Sequence, residues 1–190
     1  AKGAFTGEIS AKMVSDYADY VIIGHSERRL NQKETNQDVA LKGANILKNN
    51  MTPILCIGET EEERKTGEYI SILINQLAES SKGLDNKMIV AYEPVWAIGT
   101  GESASPELIE TMSSDGIRTT LVSLFGNEGN AVPILYGGSV NSQTVHSFLN
   151  CGEVDGVLVG GASLAHEHFV DIVTQSQSLA QWGSDHGCDG

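Results

Sequence analysis

The sequence predicts an α/β fold built on a parallel sheet, and three observations lead to this prediction. Short apolar runs alternate along the chain with longer amphipathic stretches, which is the order typical of strand–helix–strand units. The apolar runs contain almost no polar residues, as expected of strands that are covered on both faces. Residues of functional types follow at least four of these runs, which favours a (β/α)8 barrel over a doubly wound open sheet.

Five apolar runs are predicted to form the strands of the sheet: Tyr20–Gly24, Pro53–Gly58, Met88–Glu93, Val132–Gly137 and Gly156–Gly160. Helices are predicted between them. A helix is predicted over Glu61–Ser80, where Tyr69, Leu73 and Leu77 recur at helical spacing behind an acidic first turn. Ser105 and Pro106 have the character of a helix start, because serine is a preferred N-cap and proline is favoured at the first helical position.

The composition limits the classes of partner. The chain carries a formal net charge of −13, whereas nucleic acids and anionic membranes bind basic surfaces. No apolar run approaches the roughly 20 residues of a membrane-spanning helix. The three cysteines are widely spaced, at Cys56, Cys151 and Cys188, so we expect reduced thiols and a cytoplasmic location.

Two titratable residues lie at the ends of predicted strands. Glu93 ends an otherwise uncharged run, where burial raises a carboxyl pKa toward the range of a general base. The alternative for Glu93 is an ion pair with Arg28 or Arg29. His25 follows the first strand at the start of a helix, where the helix dipole favours a neutral imidazole that can donate a hydrogen bond to a carbonyl. A purely structural histidine is the alternative for His25.

The segment that follows Glu93 has the composition of a lid. Proline restricts the backbone directly after the glutamate, and the glycines permit the dihedral changes that a moving loop requires. The predicted lid residues are Pro94, Val95, Trp96, Ala97, Ile98, Gly99, Thr100 and Gly101.

Paired glycines follow the last two predicted strands, in Tyr136–Ser139 and in Val159–Gly161. Glycine lets backbone N–H groups approach an anion closely, and a following helix N-terminus adds a favourable dipole. Two such turns match the place where barrels commonly bind phosphate. Either turn alone is also typical of an ordinary connection.

Four motifs together resemble the triosephosphate isomerase family, and they lie on successive strands: Gly24–Arg29, Tyr92–Gly101, Tyr136–Val140 and Gly156–Leu164. The segment Gly3–Ser10 resembles that family's third strand–helix loop, so the resemblance covers roughly residues 3–180. It implies a partial (β/α)8 TIM barrel that holds strands 4 to 8, with the first strands missing. Residues 1–180 would form this carboxy-terminal part of the domain, and residues 181–190 a disordered tail.

The resemblance implies interconversion of dihydroxyacetone phosphate and glyceraldehyde 3-phosphate, without a metal or an organic cofactor. By motif match, Glu93 would abstract the proton next to the carbonyl, and neutral His25 would polarise the carbonyl oxygen. Glu27 matches an acid beside the active site, and Thr6 lies in a loop that matches the homodimer contact. The positions that match phosphate contacts are Gly99, Ser139, Gly160 and Gly161.

One part of the family's pattern is not matched. The family carries an Asn-x-Lys on its first strand, and neither Lys2 nor Lys12 lies in that context. We therefore expect an amino-terminally truncated isomerase that by itself turns over little substrate. The alternative is a non-catalytic remnant that binds phosphate or a protein partner. A different phosphate-binding barrel enzyme would leave His25, Glu93 and the lid unexplained together.

Overall fold

The computed structural model of this protein describes residues 3–98 and 103–185, with residues 179–185 described by their backbone alone. Its five strands are β1 Tyr20–Ile23, β2 Thr52–Ile57, β3 Ile89–Tyr92, β4 Ile134–Tyr136 and β5 Gly156–Val157. The strands form one sheet in which every neighbouring pair is parallel, and their order in the sheet is their order in the chain. A doubly wound sheet reverses this order at a switch point. The α/β prediction is therefore confirmed, and the described strands show no such reversal.

The strand bounds differ from the predicted bounds by one or two residues, except at β5, which ends at Val157 instead of Gly160. Backbone pairing continues one residue further, because the Leu158 N–H donates to the Tyr136 carbonyl at 2.8 Å. β4 ends at Tyr136, so β5 has no further residue of β4 with which to pair.

The α-helices of the described residues are α1 Ala11–Val14, α2 Ser26–Asn31, α3 Asn36–Leu47, α4 Glu61–Lys65, α5 Tyr69–Ser80, α6 Pro106–Thr111, α7 Thr119–Phe125, α8 Val145–Leu149 and α9 His166–Asp185. A π-helix, Met112–Arg118, joins α6 to α7, and 3-10 turns span Val95–Ala97, Gly126–Ala131 and Gly161–Leu164. Within this part of the chain, no helix combines the length and the apolar character needed to cross a bilayer.

Local capping explains where several helices begin. The Thr35 hydroxyl accepts the Asp38 N–H at 3.1 Å and the Asp38 carboxylate accepts the Thr35 N–H at 3.0 Å, which forms a capping box at α3. The Ser105 hydroxyl accepts the Leu108 N–H at 3.3 Å, and Pro106 is the first residue of α6. The predicted helix start at Ser105 is therefore confirmed.

The single helix predicted over Glu61–Ser80 was wrong, because the structure divides it into α4 and α5. Gly67 has a φ of +79°, a left-handed conformation that ends helices and that favours glycine. The Thr66 hydroxyl also accepts the Glu68 N–H at 3.1 Å, which stabilises the turn. Residues 61–68 include no apolar side chain, so the apolar spacing that begins at Tyr69 did not reveal this turn.

At the carboxy-terminal end, α9 continues to Asp185. The first five residues of the predicted tail, 181–185, are therefore helical in backbone. Residues 186–190 lie outside the described part of the chain, and for them the tail stays a prediction.

The core is formed where helices cover the central strands. Leu55 and Cys56 of β2 are fully buried, although their side chains point to opposite faces of the sheet. On the neighbouring strand β1, Tyr20 and Ile22 are 58% and 49% exposed, while Ile23 is buried. The central strands thus match the uniformly apolar runs of the sequence, whereas β1 is covered mainly on one face.

Candidate active site

The carboxyl ends of the strands bring the predicted site residues to one edge of the sheet. His25 lies two residues beyond β1, and Glu93 comes directly after β3. Although β2 lies between these strands, the His25 Nε2 atom is 3.6 Å from the Glu93 Oε1 atom. The structure therefore places the predicted base and the predicted electrophile side by side.

Two glycines leave the space that Glu93 occupies. A β-carbon at Gly58 would lie 1.7 Å from the Glu93 carbonyl oxygen, and one at Gly137 would lie 2.7 Å from Glu93 Cγ. Both distances are shorter than any ordinary contact of a β-carbon. The backbone also fixes this position, because the Glu93 N–H donates to the Ile57 carbonyl at 2.8 Å. Glycine at the ends of β2 and β4 is thus a steric requirement of the site.

The position of His25 determines which of its nitrogens carries the proton in the neutral ring. His25 is the N-cap residue of α2, and its Nδ1 atom accepts the Glu27 N–H at 3.2 Å. A nitrogen that accepts a hydrogen bond holds no proton, so the neutral tautomer carries its proton on Nε2. The Nε2–H group faces Glu93. This arrangement suits a neutral hydrogen-bond donor at the site.

The surroundings of Glu93 suit a general base. Glu93 is only 3% exposed, and burial raises the pKa of its carboxyl above the ordinary value, with Glu27 adding to this effect. His25, the Cys56 thiol and Arg29 act in the opposite direction. The Glu93 Oε2 atom makes no hydrogen bond to any described residue. A buried carboxylate with an unused oxygen is ready to accept a proton from a bound molecule.

The alternative in which Glu93 pairs with an arginine was wrong for Arg28. Arg28 contacts the Glu34 carboxylate at 2.7 Å and the Glu8 carboxylate at 3.0 Å. Among the described residues, the partner of Glu93 within ion-pair distance is His25. Arg29 makes no such pair with Glu93, and its bonds are instead to backbone and neutral side chains.

Cys56 is fully buried, and its thiol is free, in line with the reduced thiols expected from the sequence. Burial, together with the charge of Glu93, raises the pKa of the Cys56 thiol far above its ordinary value. A thiol in this state is a poor nucleophile. Cys151 is also free and buried, whereas Cys188 lies outside the described residues.

A second buried carboxylate, Glu59, was missed by sequence reasoning. Its side chain is fully buried and accepts the Tyr92 hydroxyl at 3.2 Å and the Trp96 indole N–H at 2.9 Å. Arg64 lies 3.4 Å from the same carboxylate and 4.7 Å from the centre of the Trp96 ring. The available signal was the position of Glu59, which follows the apolar run of β2 much as Glu93 follows β3.

The described part of the predicted lid is Pro94–Ile98, and Gly99, Thr100 and Gly101 lie outside the described residues. Trp96 is fixed by the Glu59 cluster, and the Ser139 hydroxyl donates to the Ala97 carbonyl at 2.8 Å. The predicted phosphate residue Ser139 is therefore joined directly to the segment that follows the base.

The other predicted residues lie at or near the same edge, with one exception. Gly160 and Gly161 are exposed at the start of a 3-10 turn after β5, where the Ser163 N–H donates to the Gly160 carbonyl at 2.9 Å. Glu27 is exposed on α2 and contributes its backbone N–H to His25. Thr6 does not follow a strand of the sheet and lies in an exposed turn near the start of the chain.

A cavity of about 210 Å³ lies beside Glu93 and is lined by residues of α2 and of β2 and the loop that follows it. Ser26 and Arg29 line it on the α2 side, and Cys56 and Gly58 line it on the β2 side. The cavity touches the base without including His25, so it adjoins the candidate site.

A family model described as triosephosphate isomerase matches residues 1–176. A curated triosephosphate isomerase of Chlamydia trachomatis serovar D is 48% identical over 177 residues, which cover 91% of this chain and 64% of that protein. A curated triosephosphate isomerase of Thermus thermophilus is 46% identical over 178 residues, which cover 90% of this chain and 71% of that protein.

A solved structure agrees with these sequence matches. The crystal structure of triosephosphate isomerase from Bartonella henselae superposes with a TM-score of 0.84 at 36% identity, and the match covers 90% of this chain and 71% of that chain. This chain thus spans a little under two thirds of the length of the chlamydial relative.

Proposed function

This chain belongs to the triosephosphate isomerase family, and from that membership we propose that it interconverts dihydroxyacetone phosphate and glyceraldehyde 3-phosphate. One observation carries the proposal. The Nε2 atom of His25, which holds the proton in the neutral tautomer, lies 3.6 Å from a carboxylate oxygen of buried Glu93. An acid–base pair of this kind is what proton transfer between two neighbouring carbons requires.

In the proposed reaction, the Glu93 carboxylate takes the proton from the carbon next to the substrate carbonyl. The electrons of that C–H bond form the carbon–carbon double bond of an enediolate, and the carbonyl oxygen gains negative charge. The Nε2–H group of His25 donates a hydrogen bond to this oxygen and stabilises the charge. His25 then gives its Nε2 proton to this oxygen and takes up the proton of the neighbouring substrate hydroxyl, whose oxygen becomes the new carbonyl. Return of the proton from Glu93 to the other carbon gives the other isomer, so no net oxidation occurs.

For the phosphate we propose the turns after β4 and β5, with Ser139, Gly160 and Gly161 as contacts, together with Gly99 of the lid. Backbone N–H groups in such turns supply the positive field that a chain of net charge −13 otherwise lacks. The bond from Ser139 to the Ala97 carbonyl supports this assignment, because it places one phosphate turn against the lid segment.

We further assign β1 to β5 to strands 4 to 8 of the family's eight-stranded barrel, with residues 1–180 as its carboxy-terminal part. The sequential strand order and the barrel relative at a TM-score of 0.84 support this assignment. A homodimer contact at the Thr6 turn and a cytoplasmic role in glycolysis and gluconeogenesis are proposals from the family. The exposure of that turn is consistent with a contact surface.

The test measures incorporation of solvent deuterium into the triose phosphates, together with coupled turnover, by the 190-residue chain. Exchange by this chain is expected to be slow, and Glu93→Gln should reduce it further, by up to the roughly 10²–10⁴-fold that general acid–base catalysis usually contributes. Glu128→Gln is the matched control, because Glu128 is an exposed glutamate in the Gly126–Ala131 turn. Exchange that survives Glu93→Gln would refute the proposal, and phosphate binding without any exchange would favour the non-catalytic alternative.

A further inference from the structure

Arg29 of α2 joins the ends of two strands that frame the site. Its Nε–H donates to the Gly24 carbonyl at 2.6 Å, directly before His25. Its Nη2–H donates to the Cys56 carbonyl at 3.3 Å, beside the thiol that faces Glu93. One rigid guanidinium therefore fixes the spacing between β1 and β2 at the edge where His25 and Glu93 meet.

Gly24 is shaped to receive this guanidinium. Its φ is +67°, and a β-carbon at this position would lie 2.8 Å from the Arg29 Nη2 atom. Any larger residue would be strained in its backbone and would push the guanidinium away. The close approach of Arg29 to the strand end is thus built into the chain.

The remaining partners of Arg29 are neutral. Its Nη1–H donates to Asn36 Oδ1 at 2.7 Å and its Nη2–H to the Ser80 hydroxyl at 3.3 Å, while Ser80 donates to Asn36 at 3.1 Å. Among the described residues, no carboxylate lies within ion-pair distance of Arg29. Its positive charge is therefore not cancelled locally, and it acts on more distant groups in this poorly hydrated region.

The positive charge of Arg29 acts on Glu93, together with the other groups that face this carboxylate. His25 faces Glu93 from the end of β1, and Cys56 faces it from β2. Glu27 and Arg29 face it from α2. The residue that adjoins Glu93 after β4 is Gly137, which carries no charge. Burial lowers the pKa of Arg29 itself, while Cys56, Glu34 and Glu93 act in the opposite direction. Arg29 also lines the cavity beside Glu93. Among the groups that face Glu93, Arg29 is the one that stays positively charged at any pH at which proteins fold.

We propose that Arg29 is a positioning residue of this site, whose guanidinium holds the ends of β1 and β2 together and whose positive charge offsets part of the cost of burying the Glu93 carboxylate. Arg29 touches no reacting atom and acts through Glu93 and through Gly24 beside His25. The inference rests on the proposed role of Glu93 as the base. Beyond that role, Glu93 depends on the positive charge of Arg29, which lies on α2 and outside the sheet.

The decisive variant is Asn36→Asp, which keeps the acceptor of the Arg29 bond but places a negative charge against the guanidinium. Glu93 is titrated directly by the carbon-13 signal of its carboxyl group, which Glu93→Gln identifies by its absence. We expect Asn36→Asp to increase the proton affinity of Glu93 at least about threefold, since the opposing charge offsets Arg29. An unchanged titration midpoint in the folded variant would overturn the proposal.

Substitutions of Arg29 separate its charge from its packing. Arg29→Gln removes the charge and should raise the midpoint in the same direction, whereas Arg29→Lys keeps the charge and should leave it near the original value. Both variants lose part of the hydrogen-bond network and are expected to be less stable. Arg28→Gln is the control, because Arg28 is the neighbouring arginine but pairs with Glu8 and Glu34. Equal midpoints in Arg29→Gln and Arg29→Lys would show a purely structural role.

The titration requires no turnover, so it fails or succeeds independently of the proposed isomerase activity. If the chain exchanges deuterium, the acid limb of kcat/KM should move to higher pH in Asn36→Asp, together with the Glu93 midpoint. A moved midpoint without any exchange would retain the role of Arg29 and refute the activity. Exchange with an unmoved Glu93 midpoint would support the activity and refute the role of Arg29.

Discussion

Gly137 lies so close to Glu93 that a β-carbon at position 137 would be 2.7 Å from Glu93 Cγ and 3.2 Å from Glu93 Oε1. The glycine belongs to the turn after β4, and its N–H donates to the Tyr92 carbonyl at 2.8 Å. The position of the carboxylate relative to His25 therefore depends on a residue of the neighbouring strand end.

Gly137→Ala is expected to displace the Glu93 carboxylate and to reduce isomerisation by up to about 100-fold, since displacements near 1 Å can cost this much. Overpacking should also lower the free energy of unfolding by about 1–3 kcal/mol. Deuterium exchange and thermal unfolding measure the two effects. Gly152→Ala is the matched control, because nothing lies within 4 Å of its β-carbon position. Wild-type exchange by Gly137→Ala would contradict this account.

Glu93→Gln is expected to raise stability near neutral pH. Burial raises the pKa of Glu93 in the folded state, so the folded protein holds its proton at pH values where the unfolded chain has lost it. Stability is then greatest below the unfolded value and falls as pH rises through the folded value. Glutamine never ionises, so the variant should escape this loss and show a higher melting temperature at pH 7.5.

The same comparison at pH 3.5 supplies the internal control, because the carboxyl is then protonated in the folded state and the advantage should shrink. Each kcal/mol gained corresponds to roughly 2–4 °C for a domain of this size. A melting difference that does not change between the two pH values would show that the ionisation of Glu93 has no part in it.

Ser113→Ala is expected to stabilise the protein. Ser113 lies in the π-helix Met112–Arg118, is 1% exposed, and its hydroxyl makes no hydrogen bond to any described residue. Removing an unsatisfied buried hydroxyl should gain about 1 kcal/mol, measured by denaturant unfolding. Thr120→Val should have the opposite sign, because the Thr120 hydroxyl donates to the Gly116 carbonyl at 2.6 Å. Destabilisation by Ser113→Ala would indicate that this hydroxyl has a partner.

Tyr92→Phe is expected to lower the free energy of unfolding by about 1–3 kcal/mol, because buried Glu59 would lose a hydrogen-bond donor. The Tyr92 hydroxyl lies 3.2 Å from both oxygens of that carboxylate. Tyr69→Phe is the matched control, since its ring would still lie 5.2 Å from the Arg64 guanidinium. Equal unfolding midpoints for the two variants would mean that the phenol contributes nothing to Glu59.

Much of this architecture could be predicted from the sequence because the functional residues lie next to local signals such as strand ends and helix starts. Glu93 and Ser139 follow apolar runs, and Ser105 and Pro106 begin a helix, so each can be placed from its immediate neighbours. The break at Gly67 was missed, since the acidic turn at Glu61 was joined to an apolar pattern that begins only at Tyr69.

The residues that sequence reasoning missed act across the sheet. Glu59 contacts a tyrosine of β3 and a tryptophan beyond it, and Gly58 matters only because of its distance from Glu93. Arg29 joins two strands and two helices that are far apart in sequence. Such relationships depend on strand register and on side-chain direction, which single-strand patterns do not contain.

The sequential strand order has a consequence for how the site is assembled during folding. Each strand pairs with the next one along the chain, so the sheet can grow by one strand–helix unit at a time, with only moderate loop closure at each step. The His25–Glu93 approach spans β1 to β3 and includes no residue of β4 or β5. Contact between these two side chains is therefore expected to report docking of the first three units, while Gly137 and the turns proposed for phosphate follow later strands.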